Sequence, residues 1–354
     1  MRTVVGGALS VDATPTEGVL RRRLLLAITL CCSVVLGLVM VEVLLRLAGR
    51  HPFPEFQPGR SDLPTTNVPD PVLGWRAKPG TYRYPGYTAD APPITLTLWP
   101  DGSRATSAER IERSRQVVLI GDSFTQGWAI SDDETYGWQL QARFPAVEFV
   151  NYGTAGYNGV QALLRLQEYF AAHPHPPELV IYGFNDDQER RNVGEGSWLG
   201  LLAIAAQREM VRLPYCSLDG HGGLVFHPPE GYPMWPLRHR LALVPLLERA
   251  AFRVATHGRT QQKRAATERL IERMSSIVRE HGSRLLVVLL FDEPDVGAHY
   301  TAYLDAHGIA ALDCRIPGPW GALMVPGEGH PNGLANTKWA ECLAPVLDRQ
   351  LAHD

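Results

Sequence analysis

The chain has 354 residues, 45% of them hydrophobic and 20% charged, with a formal net charge of −3. That length holds one large domain, or one domain with appendages, and the composition is that of a globular protein able to bury a sizeable core. The near-balanced charge gives no electrostatic ground for a nucleic-acid partner. With 28 prolines and 33 glycines, long irregular connections are expected. Of five cysteines, Cys31 and Cys32 lie in an apolar run, and Cys216, Cys314 and Cys342 lack the paired spacing of a zinc site. A Cys314–Cys342 disulfide in an oxidising compartment and a set of unrelated buried thiols are both open.

The first element is the uncharged run Leu24 to Val41. As a helix it is about 27 Å long, close to the hydrocarbon thickness of a bilayer. Arg21, Arg22 and Arg23 precede it and, with Arg2, outweigh Arg46 and Arg50 beyond it, which places the N-terminus in the cytoplasm and the rest of the chain outside. A cleaved signal peptide and a buried core helix are the competing readings. The run is long for a signal sequence and no small-x-small cleavage site follows, so an uncleaved anchor is preferred. The expected organisation is a cytoplasmic N-terminus over 1–23, a transmembrane anchor over 24–46, a proline-rich stalk and wrapping segment over 47–109, and a main domain over 110–354 with an insertion at about 187–258.

Ten prolines between His51 and Pro93 resist regular structure, while Trp75, Tyr82, Tyr84 and Tyr87 offer aromatic anchors. Ile94 to Trp99 alternates like an edge strand closed by a Pro100-Asp101-Gly102 turn. Val117 to Ile120 reads as a buried strand that breaks abruptly into Gly121-Asp122-Ser123. Ser131 to Glu134 has capping-box spacing for a helix running towards Arg143. A short strand, Val147 to Val150, leads into the loop Asn151 to Gly156, and Val160, Leu163, Leu164 and Phe170 mark one face of the next helix. Another strand, Leu179 to Tyr182, is expected to end in the polar loop Gly183-Phe184-Asn185-Asp186. Residues 187–258 then break the rhythm with an apolar helix, Trp198 to Ala206, a Gly/Pro/His-containing loop and a helix near Leu241 to Val254; this insertion reads equally as a lid or as edge packing. A helix from Thr260 to His281, a buried strand Leu285 to Phe291 and a last strand Ile309 to Leu312 complete an alternation that argues for a parallel sheet covered by helices.

In such a sheet the strand ends converge on one edge. Ser123, Gly156 and Asn185 lie at three of them, and Gly327-Glu328-Gly329-His330-Pro331-Asn332 forms a fourth loop. Taken alone, Gly-Asp-Ser reads as readily as a tight turn and helix cap. The four together supply a nucleophile, a backbone donor, an amide donor and a base, the inventory of acyl transfer. His173, His175, His221 and His227 sit in loops without a carboxylate or cysteine at ligand spacing, so no metal site is expected.

These blocks resemble the SGNH/GDSL hydrolase family: Gly121-Asp122-Ser123, Gly156, Gly183 to Asp186, and His330-Pro331-Asn332 match its four motifs in order, over the domain from about residue 110. The anchor and stalk resemble those of membrane-tethered members more weakly. The resemblance implies an α/β fold, the flavodoxin-like three-layer α/β/α sandwich of SGNH hydrolases with a central parallel sheet, here preceded by a transmembrane helix. It implies Ser123 as nucleophile and His330 as base, with the N–H groups of Ser123 and Gly156 and the amide of Asn185 holding the oxyanion. Gly121, Asp122, Gly183 and Asp186 would be supporting residues, and no cofactor is needed. One departure stands out. Many members carry an aspartate three residues before the histidine, where this chain has Gly327; Glu328 is the preferred acid, with Asp313 or a Ser-His dyad as alternatives.

The function implied is a membrane-anchored esterase facing the periplasm or cell exterior and acting on an acylated small molecule or glycan, with O-acetyl esters as the leading candidates. An O-acyltransferase working with envelope polysaccharide machinery and a non-catalytic envelope module are the alternatives, the last favoured only by Gly327.

Overall fold

The computed structural model describes residues 17–53, 65–205, 211–291 and 293–352. Part of the expected helix ending at Ala206 and the far N-terminal residues lie outside them. The described chain forms two compact units, one of residues 17–53 with 234–248, the other of 65–233 with 249–352.

In the first unit a helix, α1, runs over Glu17–Leu47. It is long and apolar enough to cross a membrane, and most of its leucines and valines are exposed.

In the second unit five strands, β5 (Gln116–Ile120), β6 (Glu148–Asn151), β7 (Leu179–Asn185), β10 (Arg284–Phe291) and β11 (Ala311–Asp313), pair in the order β11-β10-β7-β5-β6, all parallel. The helices α4 (Gly159–Ala172), α8 (Lys263–Glu280) and α9 (Pro294–Ala306) cover one face, and α3 (Tyr136–Arg143) and α10 (Gly333–Leu351) the other. Strand alternation explains the two cores. Val118 and Ile120 of β5 pack with Val160, Leu163 and Met274, whereas Val117 and Leu119 pack with Leu140, Trp339 and Leu343. The result is a three-layer α/β/α sandwich, as expected. Beyond the sheet, β1 (Asn67–Asp70) pairs with β2 (Gly74–Ala77) and β3 (Gly80–Tyr84) with β4 (Ile94–Leu98), each antiparallel. The proline-rich segment thus contains hairpins that bury Trp75 and Tyr82, one of them with Pro69 inside its first strand, paired with Trp75.

Two sequence expectations change. The polar loop at Gly183-Phe184-Asn185 is strand: β7 runs to Asn185 because β10 pairs Gly183 with Val288 and Phe184 with Leu289. Neighbouring backbone outweighs the local polarity there. The insertion is also richer than a loop between two helices. It holds α5 (Asp187–Asn192), α6 (Gly196–Ala205), a hairpin of β8 (Arg212–Leu218) with β9 (Leu224–Gly231), and α7 (Leu243–Gln261). A disulfide joins Cys314, just past β11, to Cys342 in α10.

Candidate active site

The chain passes from β5 out to the edge strand β6 and returns across β5 to β7, so β5 lies between the two strands that follow it in sequence. Such a reversal leaves a crevice at the carboxyl ends, and Ser123 stands at its centre. The turn there is dictated by sterics. A side chain on Gly121, which has φ of +153°, would reach within 2.3 Å of Thr125 Oγ1, and one on Gly183 within 2.1 Å of the same atom. Only two glycines let Thr125 pack between the strand ends. Ser123 then opens the short helix α2 (Ser123–Gln126), which Asp122 caps by accepting from Phe124 N at 2.9 Å and Gly127 ends in a left-handed conformation.

His330 meets this serine from the far end of the sequence. Its Nε2 lies 3.0 Å from Ser123 Oγ, and its Nδ1 lies 2.8 and 2.9 Å from the two carboxylate oxygens of Glu328. With Nδ1 donating to the carboxylate, Nε2 is left as the acceptor for the serine proton. Glu328 Oε2 also accepts from His330 N at 2.8 Å, and Oε1 from Trp128 Nε1 at 3.1 Å. Burial pushes the Glu328 carboxyl up, but the His330 bond and charge, with the backbone and Trp128 donors, outweigh it and hold the group below the usual glutamate value. Asp313 is elsewhere, clamped by Arg315 at 2.7 Å.

The reason for Gly327 is visible in the backbone. Gly327 and Gly329 have φ of +80° and +93°, and a side chain on Gly327 would approach the Tyr87 carbonyl oxygen to 3.2 Å. An aspartate there would be strained as well as crowded. The carboxylate comes instead from the residue between the glycines. Tyr87 stands close enough to Glu328 that burial and the carboxylate charge push its phenol up to about 12. Asn332 caps α10, its Oδ1 accepting from Ala335 N at 3.1 Å, which fixes the exit of the histidine loop.

Gly156 has φ of +80° and follows β6. The N–H groups around it are engaged, Thr154 with Gly121 O, Ala155 with Gln126 Oε1 and Tyr157 with Thr154 O. Among the described residues no protein acceptor takes the N–H of Gly156 or of Ser123. Asn185, the last residue of β7, gives one amide hydrogen to Asp122 Oδ2 at 2.7 Å, which leaves the second for another acceptor. Asp186 accepts from Glu293 N at 3.1 Å and ties the end of β7 to the second residue after β10, burial pushing its carboxyl up.

Three residues at the site were not singled out from sequence. Asp122 is fully buried, and its Oδ2 accepts from Gln188 at 3.1 Å and Arg191 at 2.7 Å as well as from Asn185. Gln188 and Arg191 sit at i and i+3 on α5 immediately after the Asn185 block, a spacing that signals a shared face. Trp128 carries only a weaker mark, an aromatic just after the glycine that ends α2. Among the described residues no three His, Cys, Asp or Glu side chains gather as a metal site.

No family model and no curated protein matches the chain. Solved structures do. A lipolytic protein of the G-D-S-L family from Veillonella parvula shares 13% identity, with 67% of this chain and 100% of that one covered at a TM-score of 0.36. A putative lipolytic protein of the same family from Desulfitobacterium hafniense shares 16%, covering 66% and 100% at 0.37. An acetylxylan esterase from Geobacillus stearothermophilus shares 11%, covering 70% and 98% at 0.37.

Proposed function

We propose that this chain is a membrane-anchored serine esterase of the SGNH/GDSL hydrolase type. The observation that carries the reading is the hydrogen-bonded series Ser123 Oγ, His330 Nε2, His330 Nδ1, Glu328. In it His330 removes the proton as Ser123 Oγ bonds to the ester carbonyl carbon. The N–H groups of Ser123 and Gly156 and the free amide hydrogen of Asn185 receive the oxyanion. His330 then protonates the departing alcohol, leaving an acyl-serine, and water, deprotonated by the same imidazole, releases the acid and restores the hydroxyl. Glu328 keeps the imidazole in the tautomer that accepts from serine and stabilises the imidazolium. Trp128 acts as a positioning residue. Its indole N–H binds Glu328 while its backbone N–H donates to Ser123 O at 2.9 Å, so one residue spans both ends of the series.

The Glu328 contact counts against a non-catalytic module, which rested on the missing aspartate alone. For location, the support is the apolar length of α1, the arginines before its apolar run, and a disulfide of the kind kept in oxidising compartments. The cytoplasm therefore holds the N-terminus and the catalytic unit lies outside. Small acyl esters, O-acetyl groups on glycans among them, are the substrate class we assign, with water as acceptor. A fluorophosphonate probe is expected to label the full-length protein and to lose that label in Ser123→Ala. Equal labelling of both would remove the nucleophile from this reading.

A further inference from the structure

The unit built on α1 contains a second piece of chain, residues 234–248, that the esterase chemistry does not use. It is fastened to the outer end of the helix by Glu42, the first charged residue beyond the uncharged run Leu24 to Val41. The Glu42 carboxylate accepts from Ala242 N at 2.8 Å, Leu243 N at 3.0 Å and Arg46 Nε at 2.7 Å. It therefore caps the start of α7, the helix beginning at Leu243. Arg46 Nη2 donates in turn to Arg240 O at 2.7 Å. Arg238 lies over the Phe53 ring at 3.7 Å, and Phe53 N donates to Arg238 O at 2.9 Å. Segment 234–248 is thus held at whatever depth Glu42 occupies.

We infer that residues 234–248 form an interfacial collar that beds into the outer lipid leaflet around the end of the anchor. A carboxylate at the edge of hydrocarbon needs donors that travel with it, and the collar provides two backbone N–H groups. The outward side chains fit the same layer. Trp235, Leu237 and Leu247 are 40%, 54% and 48% exposed, three large apolar groups left bare within one short segment. Tryptophan is favoured at the headgroup level, where an apolar ring and a polar N–H are both accommodated. Arg46, Arg50 and Arg240 are exposed on the same unit and supply cations for lipid phosphates. The occupant is therefore lipid, apolar below and anionic at the rim. This inference rests on the proposal that α1 spans the membrane, and the experiment separates the two.

The full-length protein, with Cys31 and Cys32 replaced by alanine, is placed in nanodiscs of phosphatidylethanolamine and phosphatidylglycerol. Cys216 is buried and Cys314 and Cys342 are bonded to each other, so an added cysteine takes the label alone. An environment-sensitive fluorophore is attached to Leu36→Cys, Leu237→Cys or Leu247→Cys in turn, and fluorophosphonate labelling of Ser123 verifies the fold of each. The expected result is quenching of the 237 and 247 labels by lipids spin-labelled near the headgroup, and of the 36 label by lipids spin-labelled at mid-chain. Strong quenching of 36 with 237 and 247 open to an aqueous quencher would overturn the collar and leave the span standing. Blue-shifted emission at 237 and 247 without lipid quenching would assign the surface to a protein and overturn it equally. A 36 label quenched only from water would remove the span, and the collar with it.

Discussion

Two carboxylates stand behind Ser123, the proposed nucleophile, and they have opposite surroundings. Asp122 is completely buried, its oxygens shared among a helix-capping N–H, Asn185, Gln188 and Arg191. Glu328 is half-buried on a loop between two left-handed glycines, with the imidazole as its principal partner. The first has donors enough to be a fixed part of the framework. The second has a partner that itself gains and loses a proton. On the proposed mechanism, what separates the two carboxylates is therefore the group each faces and not its proximity to the serine.

The sharpest way to break this comparison is to remove each charge without changing shape. Glu328→Gln is expected to lower kcat by about 10⁴-fold, since an amide no longer enforces the right tautomer, while the melting temperature falls less than it does for Asp122→Asn. Asp122→Asn should do the reverse in stability, lowering it by about 1–3 kcal/mol because the buried Arg191 loses one of its two carboxylate partners and keeps only Asp187, at 2.8 Å. Denaturant titration and steady-state kinetics on both variants would test the division. Equal loss of stability in the two would show that Glu328 is framework as well.

A smaller effect is expected at Asn185→Ala, about 10²- to 10³-fold in kcat for one oxyanion donor. Because the same amide also binds Asp122, a modest fall in stability should accompany it. A rise in KM alone would move Asn185 from the reaction to substrate binding.

The smallest effect belongs to Trp128→Phe, which removes one hydrogen bond to a charged group and should lower kcat by about tenfold with KM unchanged. Its diagnostic is pH. The Glu328 carboxyl is held below 4.5 in the fold, so its ionisation adds stability that is complete above that value and is lost as pH falls through the lower folded one. Losing the indole donor raises the folded value, and acid unfolding should begin at higher pH. A tenfold rate loss with an unchanged acid limb would mean that Trp128 only fills space.

Much of this site was legible in the residues. Val117 to Ile120 could be read as a buried strand because all four are apolar and three are β-branched, and Gly-Asp-Ser marked its end. Glu328 was the nearest acid to His330 once Gly327 was noticed. The boundary of β7 was not legible, because Gly183 and Asn185 are poor strand formers and become strand only through β10, about a hundred residues on. The helices α9 and α10 are not legible either; α10 begins immediately after the histidine motif, and Pro345 interrupts its pattern. Trp128 and Glu328 are 200 positions apart, and no local pattern announces such a bond. Likewise nothing in the composition of 234–248 signals that it folds back to a carboxylate at Glu42.

The pair of left-handed glycines around Glu328 also bears on how relatives are found. A pattern requiring an aspartate three places before the histidine passes over a chain built this way, although its carboxylate reaches the same ring nitrogen. Conversely, replacing Gly327 with aspartate to restore the common spelling should damage the loop it was meant to repair. Chains with Gly-Glu-Gly-His at this point are better searched for by their backbone turn than by the identity of the acid.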